Sequence, residues 1–167
     1  IKNQLKKMNK NFLFLINGLG LGNSIRCYSI IQKISSHDNE ISVVTSGNGK
    51  WFFSDKKEID NIYHVEQIKY GNSGNNLSIT KTLLKTYSNL KTIINNQKII
   101  KKIIKKHNPD VIIIDSFYYF TRDSKIPIIA INNSDLTVEL FQKYRKNVSL
   151  KIKLQFYFIE LLDYLFH

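Results

Sequence analysis

Three glycines alternate along the stretch GLGLG, at Gly18, Gly20 and Gly22, between an apolar run and a segment of helical periodicity. A strand, a glycine turn and a helix N-terminus in succession form an anion site, because unpaired backbone N–H groups and the helix dipole point the same way. Side chains at these positions would keep a phosphate away from the backbone. The simpler alternative is a tight turn that needs positive φ, but three glycines exceed what one such turn needs. The stretch therefore predicts a phosphate-binding loop.

Two familiar nucleotide-binding motifs do not fit this loop. The dinucleotide fingerprint G-x-G-x-x-G, started at Gly18, requires glycine where the chain has Asn23. It also needs an acidic residue after the second strand to hold a ribose, and that strand ends at Thr45 and Ser46. The P-loop pattern G-x-x-x-x-G-K-[ST] is absent. NAD and ordinary P-loop nucleotides are therefore not predicted as ligands.

Histidine and cysteine usage predicts no metal site. His37, His64 and His107 are scattered, and none has metal-ligand spacing with another histidine or a cysteine. Cys27 is the only cysteine, which excludes an intrachain disulfide framework and a cysteine-based zinc site. A single cysteine fits a reducing cytoplasm, which is where we expect the protein to be.

The formal net charge of +12 suggests an anionic partner such as nucleic acid. The chain has only three arginines, however, and arginine is the residue that phosphate and base recognition favours. Its richness in Lys, Asn and Ile is typical of A/T-biased codon usage. We therefore expect no nucleic-acid partner.

The 167 residues, 43% of them hydrophobic, predict one domain with its own core. Met8 begins MNKNFLFLINGLGLG, which is typical of a natural start, so residues 1–7 are predicted to lie upstream of it and 8–167 to form the domain. The last helical pattern runs to His167 without a stop signal, which predicts a truncated chain. No stretch reaches the ~20 uncharged apolar residues of a membrane span.

Strands and helices alternate in the predicted secondary structure. Apolar runs predict strands over 11–17, 41–45, 61–68, 110–115 and 127–131. Helical spacing predicts helices from 23 to about 36, over 77–106 and from about 136, the first capped by Asn23 or Ser24 and the second kinked or split at Asn95 and Asn96. The stretch SGNGKWFF predicts a loop and a short aromatic turn. The face of the long helix that packs on the sheet is predicted to carry Leu83, Leu84, Tyr87, Leu90 and Ile94, followed by Ile100, Ile103 and Ile104.

This alternation predicts an α/β fold, a Rossmann-like doubly wound parallel sheet of five strands in the order 3-2-1-4-5. Its switch point lies between the first and fourth strands, and ligands bind beyond the strand ends there. Residues 18–23 and 115–118 are predicted to form opposite lips of one crevice, with 132–135 as a nearby wall. The polar side chains that would surround the crevice are Asn23, Arg26, Asp115, Ser116, Asn132, Asn133 and Ser134.

Three segments, GLGLGNSIRCYSII, HNPDVIIIDS and KIPIIAINNS, together carry a family resemblance. They resemble the N-terminal domain of GT-B-fold glycosyltransferases, in particular the group with the N-acetylglucosaminyltransferase that makes the lipid-linked peptidoglycan precursor. Arg26 and Cys27 are also similar to the end of the GHxxRC stretch of UDP-sugar hydrolases in nonulosonic acid synthesis. The resemblance covers residues 11–139. It departs from the family pattern at Asn23, which stands where the family has histidine.

The resemblance implies one half of a GT-B fold that transfers a sugar from a nucleotide-sugar, such as a UDP-sugar, to a glycan or lipid-linked acceptor of the cell envelope. It implies no cofactor or metal, and a missing C-terminal donor-binding domain without which the chain is inactive. The three glycines would admit a donor diphosphate or an acceptor phosphate, and Arg26 would face the same anion unless it is a surface arginine. Asp115 would accept a proton from the acceptor, unless it or Ser116 caps the next helix, and Asn23 could hydrogen-bond but not take a proton. Asn132, Asn133 and Ser134 would bind sugar hydroxyls, unless they cap the last helix.

Two other functions stay open at this point. One is a non-catalytic subunit that recruits a membrane or binds the acceptor for a separate donor-binding chain. The other is a UDP-sugar hydrolase, which Asn23 disfavours because a hydrolase must activate water.

A peripheral contact with the inner face of the membrane is suggested by the basic amphipathic stretch KIIKKIIKKH and the aromatic tail 154–166. Ordinary packing of both segments on the sheet is the alternative.

Overall fold

The computed structural model describes residues 9–35, 38–69, 72–73, 76–77, 86–117 and 125–131, together with 150, 153 and 157. Five strands form one parallel sheet: β1 (Asn11–Ile16), β2 (Glu40–Thr45), β3 (Asn61–His64), β4 (Val111–Asp115) and β5 (Ile128–Ala130). Within the continuous described segments, the helices are α1 (Leu21–Ser35), α2 (Gly49–Phe53) and α3 (Thr86–His107). A short antiparallel ladder also pairs Asn72–Ser73 with Asn76–Leu77.

The strand order is β3-β2-β1-β4-β5, so the predicted order 3-2-1-4-5 is confirmed. The central strand β1 pairs with β2 on one side and β4 on the other, with Phe12 opposite both Ile41 and Val111. The last four residues of β1 are fully buried. Such a continuous apolar strand is typical of a parallel sheet covered on both faces.

Helices cover both faces of this sheet. On one face the α3 residues Ile93, Ile100 and Ile103 pack on alternate residues of β1, β2 and β4. On the other face Cys27 and Ile31 of α1 and Phe53 of α2 pack on the intervening residues. Packing of the KIIKKIIKKH isoleucines on the sheet is therefore confirmed for Ile100 and Ile103, and Ile104 packs against the same cluster. For Ile99, which is 41% exposed, it is wrong.

Helix α1 begins at Leu21, two residues before the predicted start. Asn23 and Ser24 consequently lie inside the first turn, and their predicted role as N-cap is wrong. The expected loop and aromatic turn after β2 contains the helix α2. Strand β3 is shorter than predicted and ends at His64.

Helix α3 runs without interruption through Asn95 and Asn96, so the predicted kink or split there is wrong. Leu90 and Ile94 are 46% and 51% exposed and do not belong to the packing face, contrary to prediction. Asn89, Thr92 and Asn96 occupy buried positions on that face instead. A pattern that counts only apolar residues misplaces the face because three of its buried positions are polar. Leu83, Leu84 and the side chain of Tyr87 lie outside the described part.

Among the helices of the described residues, none is both long enough and apolar enough to cross a membrane.

Candidate functional site

The candidate site lies where β1 and β4 end side by side, at the point where the strand order reverses. Ile16 is in register with Asp115, and the N–H of Asn17 donates to the Asp115 carbonyl at 3.1 Å. The next residue, Ser116, has φ of +51°, in the left-handed region that a residue with a Cβ seldom adopts. Strain of this kind often marks functional sites.

Arg26 of α1 and Asp115 of β4 form a bidentate ion pair within this crevice. Arg26 Nε donates to Asp115 Oδ2 at 2.9 Å and Nη2 donates to Oδ1 at 2.6 Å. The Asp115 side chain is fully buried, whereas that of Arg26 is 36% exposed. The hydrogen bond to Asp115 raises the pKa of Arg26. The guanidinium therefore lies at the crevice surface, held from below by a buried carboxylate.

Two further donors contact the Asp115 carboxylate. Cys27 Sγ donates to Oδ2 at 3.3 Å, and Ser116 Oγ donates to Oδ1 at 3.2 Å. Burial, followed by the charge of Asp115, raises the pKa of the Cys27 thiol, so this cysteine stays protonated and is not a nucleophile. Any proton transfer to Asp115 would have to displace some of these contacts, and its role as a base stays a prediction.

Asn23 links the glycine loop to this pair. Its Nδ2 donates to the Asn17 carbonyl at 3.4 Å, and its Oδ1 accepts from Arg26 Nη2 at 3.2 Å. These contacts fix the orientation of the amide, with the oxygen facing arginine. One amide hydrogen remains to serve a ligand, so Asn23 can offer a hydrogen bond but no basic nitrogen.

The three loop glycines are not equivalent. A Cβ on Gly18 would overlap the Ser46 carbonyl oxygen and lie 2.7 Å from the Gly49 nitrogen. Gly20 and Gly22 have open space where a Cβ would be. None of the three has positive φ, so the tight-turn alternative is wrong; the nearby glycine that does have positive φ is Gly47, at +51°. Gly18 is needed for packing, and only Gly20 and Gly22 present a bare, accessible backbone.

Backbone and side-chain hydrogen bonds fasten Gly18 to the turn between β2 and α2. The N–H of Asn48 donates to the Gly18 carbonyl at 3.0 Å, and the N–H of Gly18 donates to Ser46 Oγ at 3.4 Å. Asn17 Oδ1 accepts from the Leu19 N–H at 3.0 Å and shapes the approach to α1. Asn17 and Ser46 were not among the site residues predicted from the sequence, although a polar residue directly after each strand was an available signal.

Two buried hydroxyls have no hydrogen-bond partner among the described residues, namely Ser24 Oγ and Thr45 Oγ1. Ser24 lies in the first turn of α1, and Thr45 is the last residue of β2. The spacing of Ser24, Cys27 and Ile31 along the inner face of α1 is a signal that could have revealed the first of them.

Four large apolar side chains are exposed near the glycine loop, and we call them the apolar rim: Leu19, Leu21, Ile25 and Trp51. Leu21 and Ile25 lie one turn apart on α1. The next residue along that flank, Tyr28, meets Phe52 of α2 edge to face at 6.0 Å, and Trp51 precedes Phe52. The rim therefore runs along α1 toward α2, and Trp51 is 73% exposed.

The structure brings together Gly18, Gly20, Gly22, Asn23, Arg26, Asp115 and Ser116, as predicted for the two lips of the crevice. Asn132, Asn133 and Ser134 lie outside the described residues. Within the described part of the chain, no group of three or more His, Cys, Asp or Glu side chains could hold a metal ion.

Comparisons with known proteins agree with this architecture. A family model described as "Glycosyl transferase family 1" matches residues 10–159. Among solved structures, UGT73P12 of Glycyrrhiza uralensis, in complex with glycyrrhetinic acid 3-O-monoglucuronide, is similar with a TM-score of 0.52 and 16% sequence identity. That alignment covers 85% of this chain and 33% of the neighbour, so the chain spans about a third of that protein. At this identity the likeness shows the fold. A search among curated proteins found no match.

Proposed function

Because the family model matches most of its length, the chain belongs to glycosyl transferase family 1, and we propose that it forms the acceptor-side domain of a GT-B enzyme. In this proposal the enzyme transfers a sugar from a UDP-sugar to a glycan or lipid-linked acceptor of the cell envelope. The observation that carries the proposal is the bare backbone at Gly20 and Gly22, placed at the switch point of the sheet. Ligands of doubly wound sheets bind at this point.

The chemistry offered at the loop suits an anionic group. The backbone N–H groups of the first turn of α1 have no partner within the helix, and that turn carries no acidic residue. Nε and Nη2 of Arg26 donate hydrogen bonds to Asp115. In this proposal, Nη1 of Arg26 donates to the phosphate. The second amide hydrogen of Asn23 adds a donor. We propose that these groups bind a phosphate of the donor or of the acceptor, with Ser116 beside it.

The deprotonation of an acceptor hydroxyl needs a base, and Asn23 cannot supply one. We propose that Asp115 acts as a positioning residue that holds Arg26. The base and the nucleotide pocket would then come from residues outside the described part and from a C-terminal donor-binding domain. Asn132, Asn133 and Ser134 remain proposed contacts for sugar hydroxyls.

One observation favours a second function, that of a non-catalytic acceptor-binding subunit. Among the described residues at the carboxyl ends of β1 and β4, the only carboxylate belongs to Asp115, and both of its oxygens accept hydrogen bonds. A chain that binds an anionic acceptor without activating it would need no more than this. The UDP-sugar hydrolase is a poorer proposal, because Asn23 cannot activate water.

Substitution of Gly22 by alanine tests the proposed function. In the full-length protein, we expect Gly20→Ala and Gly22→Ala to weaken UDP-sugar or acceptor use at least ~10-fold, because a methyl group would stand between backbone and phosphate. Gly22→Ala should not destabilise the fold and should stabilise α1 by about 0.5–1 kcal/mol, since alanine is the better helix former. Nucleoside diphosphate release from a panel of UDP-, GDP- and TDP-sugars, together with thermal unfolding, measures both effects.

Ser29→Ala, two turns further along the exposed side of α1, is the matched control: it should leave turnover unchanged, although it too should stabilise α1 slightly, since serine is a weaker helix former than alanine. We call the proposed phosphate site at the backbone of Gly20 and Gly22 the phosphate cradle. Unchanged turnover in both glycine variants would contradict it. Anion binding that is lost in the variants, in a wild-type protein that turns over no donor, would favour the non-catalytic subunit.

We further propose a cytoplasmic protein in peripheral contact with the membrane, through the apolar rim. The rim segments 18–26 and 46–53 contain no acidic residue and include Arg26 and Lys50. Exposed tryptophan beside basic residues suits the interface of an anionic bilayer. The outer side of α3 is the competing surface, since exposed Leu90 and Ile94 adjoin exposed lysines there.

Trp51→Ser distinguishes the two surfaces. We expect it to weaken sedimentation of the protein with phosphatidylglycerol-containing vesicles by about tenfold, which corresponds to roughly 1.4 kcal/mol of lost burial. Ile94→Ser, which removes an exposed apolar side chain from α3, should leave sedimentation unchanged. The opposite pattern would transfer the contact to α3, and no vesicle binding by the wild-type protein would end the proposal.

A further inference from the structure

Two asparagines of α3 form paired hydrogen bonds with the backbone of an extended segment that follows β3. Asn96 Nδ2 donates to the Glu66 carbonyl at 2.6 Å, and Asn96 Oδ1 accepts from the Glu66 N–H at 3.2 Å. Asn89 does the same to Lys69, with both distances at 3.1 Å. Each side-chain amide thus donates to the carbonyl and accepts from the N–H of one residue, as the backbone of a neighbouring β-strand would. We call Asn89 and Asn96 the asparagine clamps.

The spacing of the clamps matches the segment that they hold. Seven residues along a helix advance by about 10.5 Å, and three residues of extended chain by about 10 Å. Both clamps are buried, with Asn96 almost inaccessible. The register of residues 65–69 against α3 is therefore fixed at two points, and a third bond, from the Val65 N–H to the Thr45 carbonyl at 2.9 Å, ties its start to β2.

Gln67 lies between the two gripped residues and packs against the turn after β2. A Cβ on Gly47 would overlap Gln67 Oε1. The turn of Gly47 continues into Asn48, whose N–H holds the Gly18 carbonyl at 3.0 Å. A chain of contacts thus leads from α3 through Gln67 and the turn to the first residue of the glycine loop.

We propose that Asn89 and Asn96 are positioning residues for the glycine loop. By fixing residues 65–69, they keep Gln67 packed against the turn at Gly47. That turn hydrogen-bonds to Gly18 through Asn48 and so orients the loop backbone that follows Gly18. The consequence for ligand binding rests on the proposed function, but the consequence for loop order does not.

Hydrogen exchange of the loop amides tests this inference without any ligand. In the full-length protein, we expect Gln67→Ala and Asn96→Ala to speed exchange over residues 18–23 by about tenfold relative to β1. Asn95→Ala, an exposed asparagine at the adjacent position of α3, is the matched control and should leave exchange unchanged. The double variant of Gln67 and Asn96 should be no faster than the faster single variant, because both act through one chain of contacts.

A merely structural role for the clamps predicts a different result. It predicts a lower melting temperature for Asn96→Ala with exchange at 18–23 unchanged relative to β1, and that outcome would overturn the inference. Gln67→Ala removes the side-chain contact with the Gly47 turn and leaves both clamps in place. Unchanged hydrogen exchange of the loop in this variant would also overturn the inference, even if Asn96→Ala does not fold.

The affinity for inorganic pyrophosphate separates this inference from the proposed function. We expect the same two variants to bind pyrophosphate several-fold more weakly. Faster loop exchange with unaltered pyrophosphate affinity supports the positioning role and contradicts the phosphate cradle.

Discussion

Replacement of Gly18 by alanine is expected to lower the free energy of unfolding by about 3 kcal/mol, the upper end of the usual cost of overpacking. The added Cβ would overlap the Ser46 carbonyl oxygen and lie 2.7 Å from the Gly49 nitrogen. Both are backbone atoms, so no side-chain rotation can relieve the collision. Relief requires that the glycine loop and the β2–α2 turn separate, which breaks the hydrogen bond from Asn48 to Gly18. Urea denaturation followed by circular dichroism measures the loss.

Gly20→Ala is the internal control for this experiment, because its Cβ would enter open space. We expect it to leave the free energy of unfolding within about 0.5 kcal/mol of the wild-type value, as for surface substitutions in general. A Gly18→Ala protein as stable as Gly20→Ala would show that the turn yields easily and that the close approach is not required.

The contrast between Gly18 and Gly20 shows what the sequence could and could not predict. The alternation of strands and helices was sufficient for the strand order, because right-handed crossovers leave few arrangements. It also placed residues 18–23 and 115–116 at one crevice. The stretch GLGLG does not reveal which glycine lies in close contact with another segment. That segment contains Ser46, and the pairing of β1 with β2 brings it next to Gly18.

The misplaced face of α3 has a related cause. Hydrophobic periodicity assumes that buried positions are apolar, and it assigned Leu90 and Ile94 to the sheet. The structure buries Asn89 and Asn96 instead, because their amides hydrogen-bond to the backbone N–H and carbonyl groups of Lys69 and Glu66. The dependence on a distant segment is not visible in a local pattern.

The pairing of Arg26 with Asp115 was similarly beyond the sequence, although both residues were expected near the crevice. They are 89 positions apart, and their contact depends on the adjacency of β1 and β4 and on the start of α1 at Leu21. The sequence left open a surface position for Arg26 and a capping role for Asp115. In the structure, Arg26 instead forms an ion pair with a buried carboxylate of the same chain.

Replacement of Arg26 by methionine is therefore expected to lower the free energy of unfolding by about 3 kcal/mol, the lower end of the range for breaking a buried pair, because Arg26 itself is 36% exposed. The variant leaves the fully buried Asp115 carboxylate without its counter-charge, and among the described residues only Cys27 and Ser116 still donate to it. Asp115→Asn should cost less, because the remaining guanidinium is 36% exposed and can be hydrated. Urea denaturation of the two single variants measures the difference.

The double variant Arg26→Met/Asp115→Leu separates the charge imbalance from the loss of contact. Replacement of both partners by apolar side chains of similar volume is often close to neutral, so we expect most of the lost free energy of unfolding to return. The double variant should nevertheless bind pyrophosphate more weakly than the wild-type protein, since it keeps the loop backbone but lacks the guanidinium. A double variant as unstable as Arg26→Met would show that the bidentate geometry stabilises the crevice and that the unpaired charge is not the cause. Restored stability together with unaltered pyrophosphate affinity would remove Arg26 from the proposed anion site.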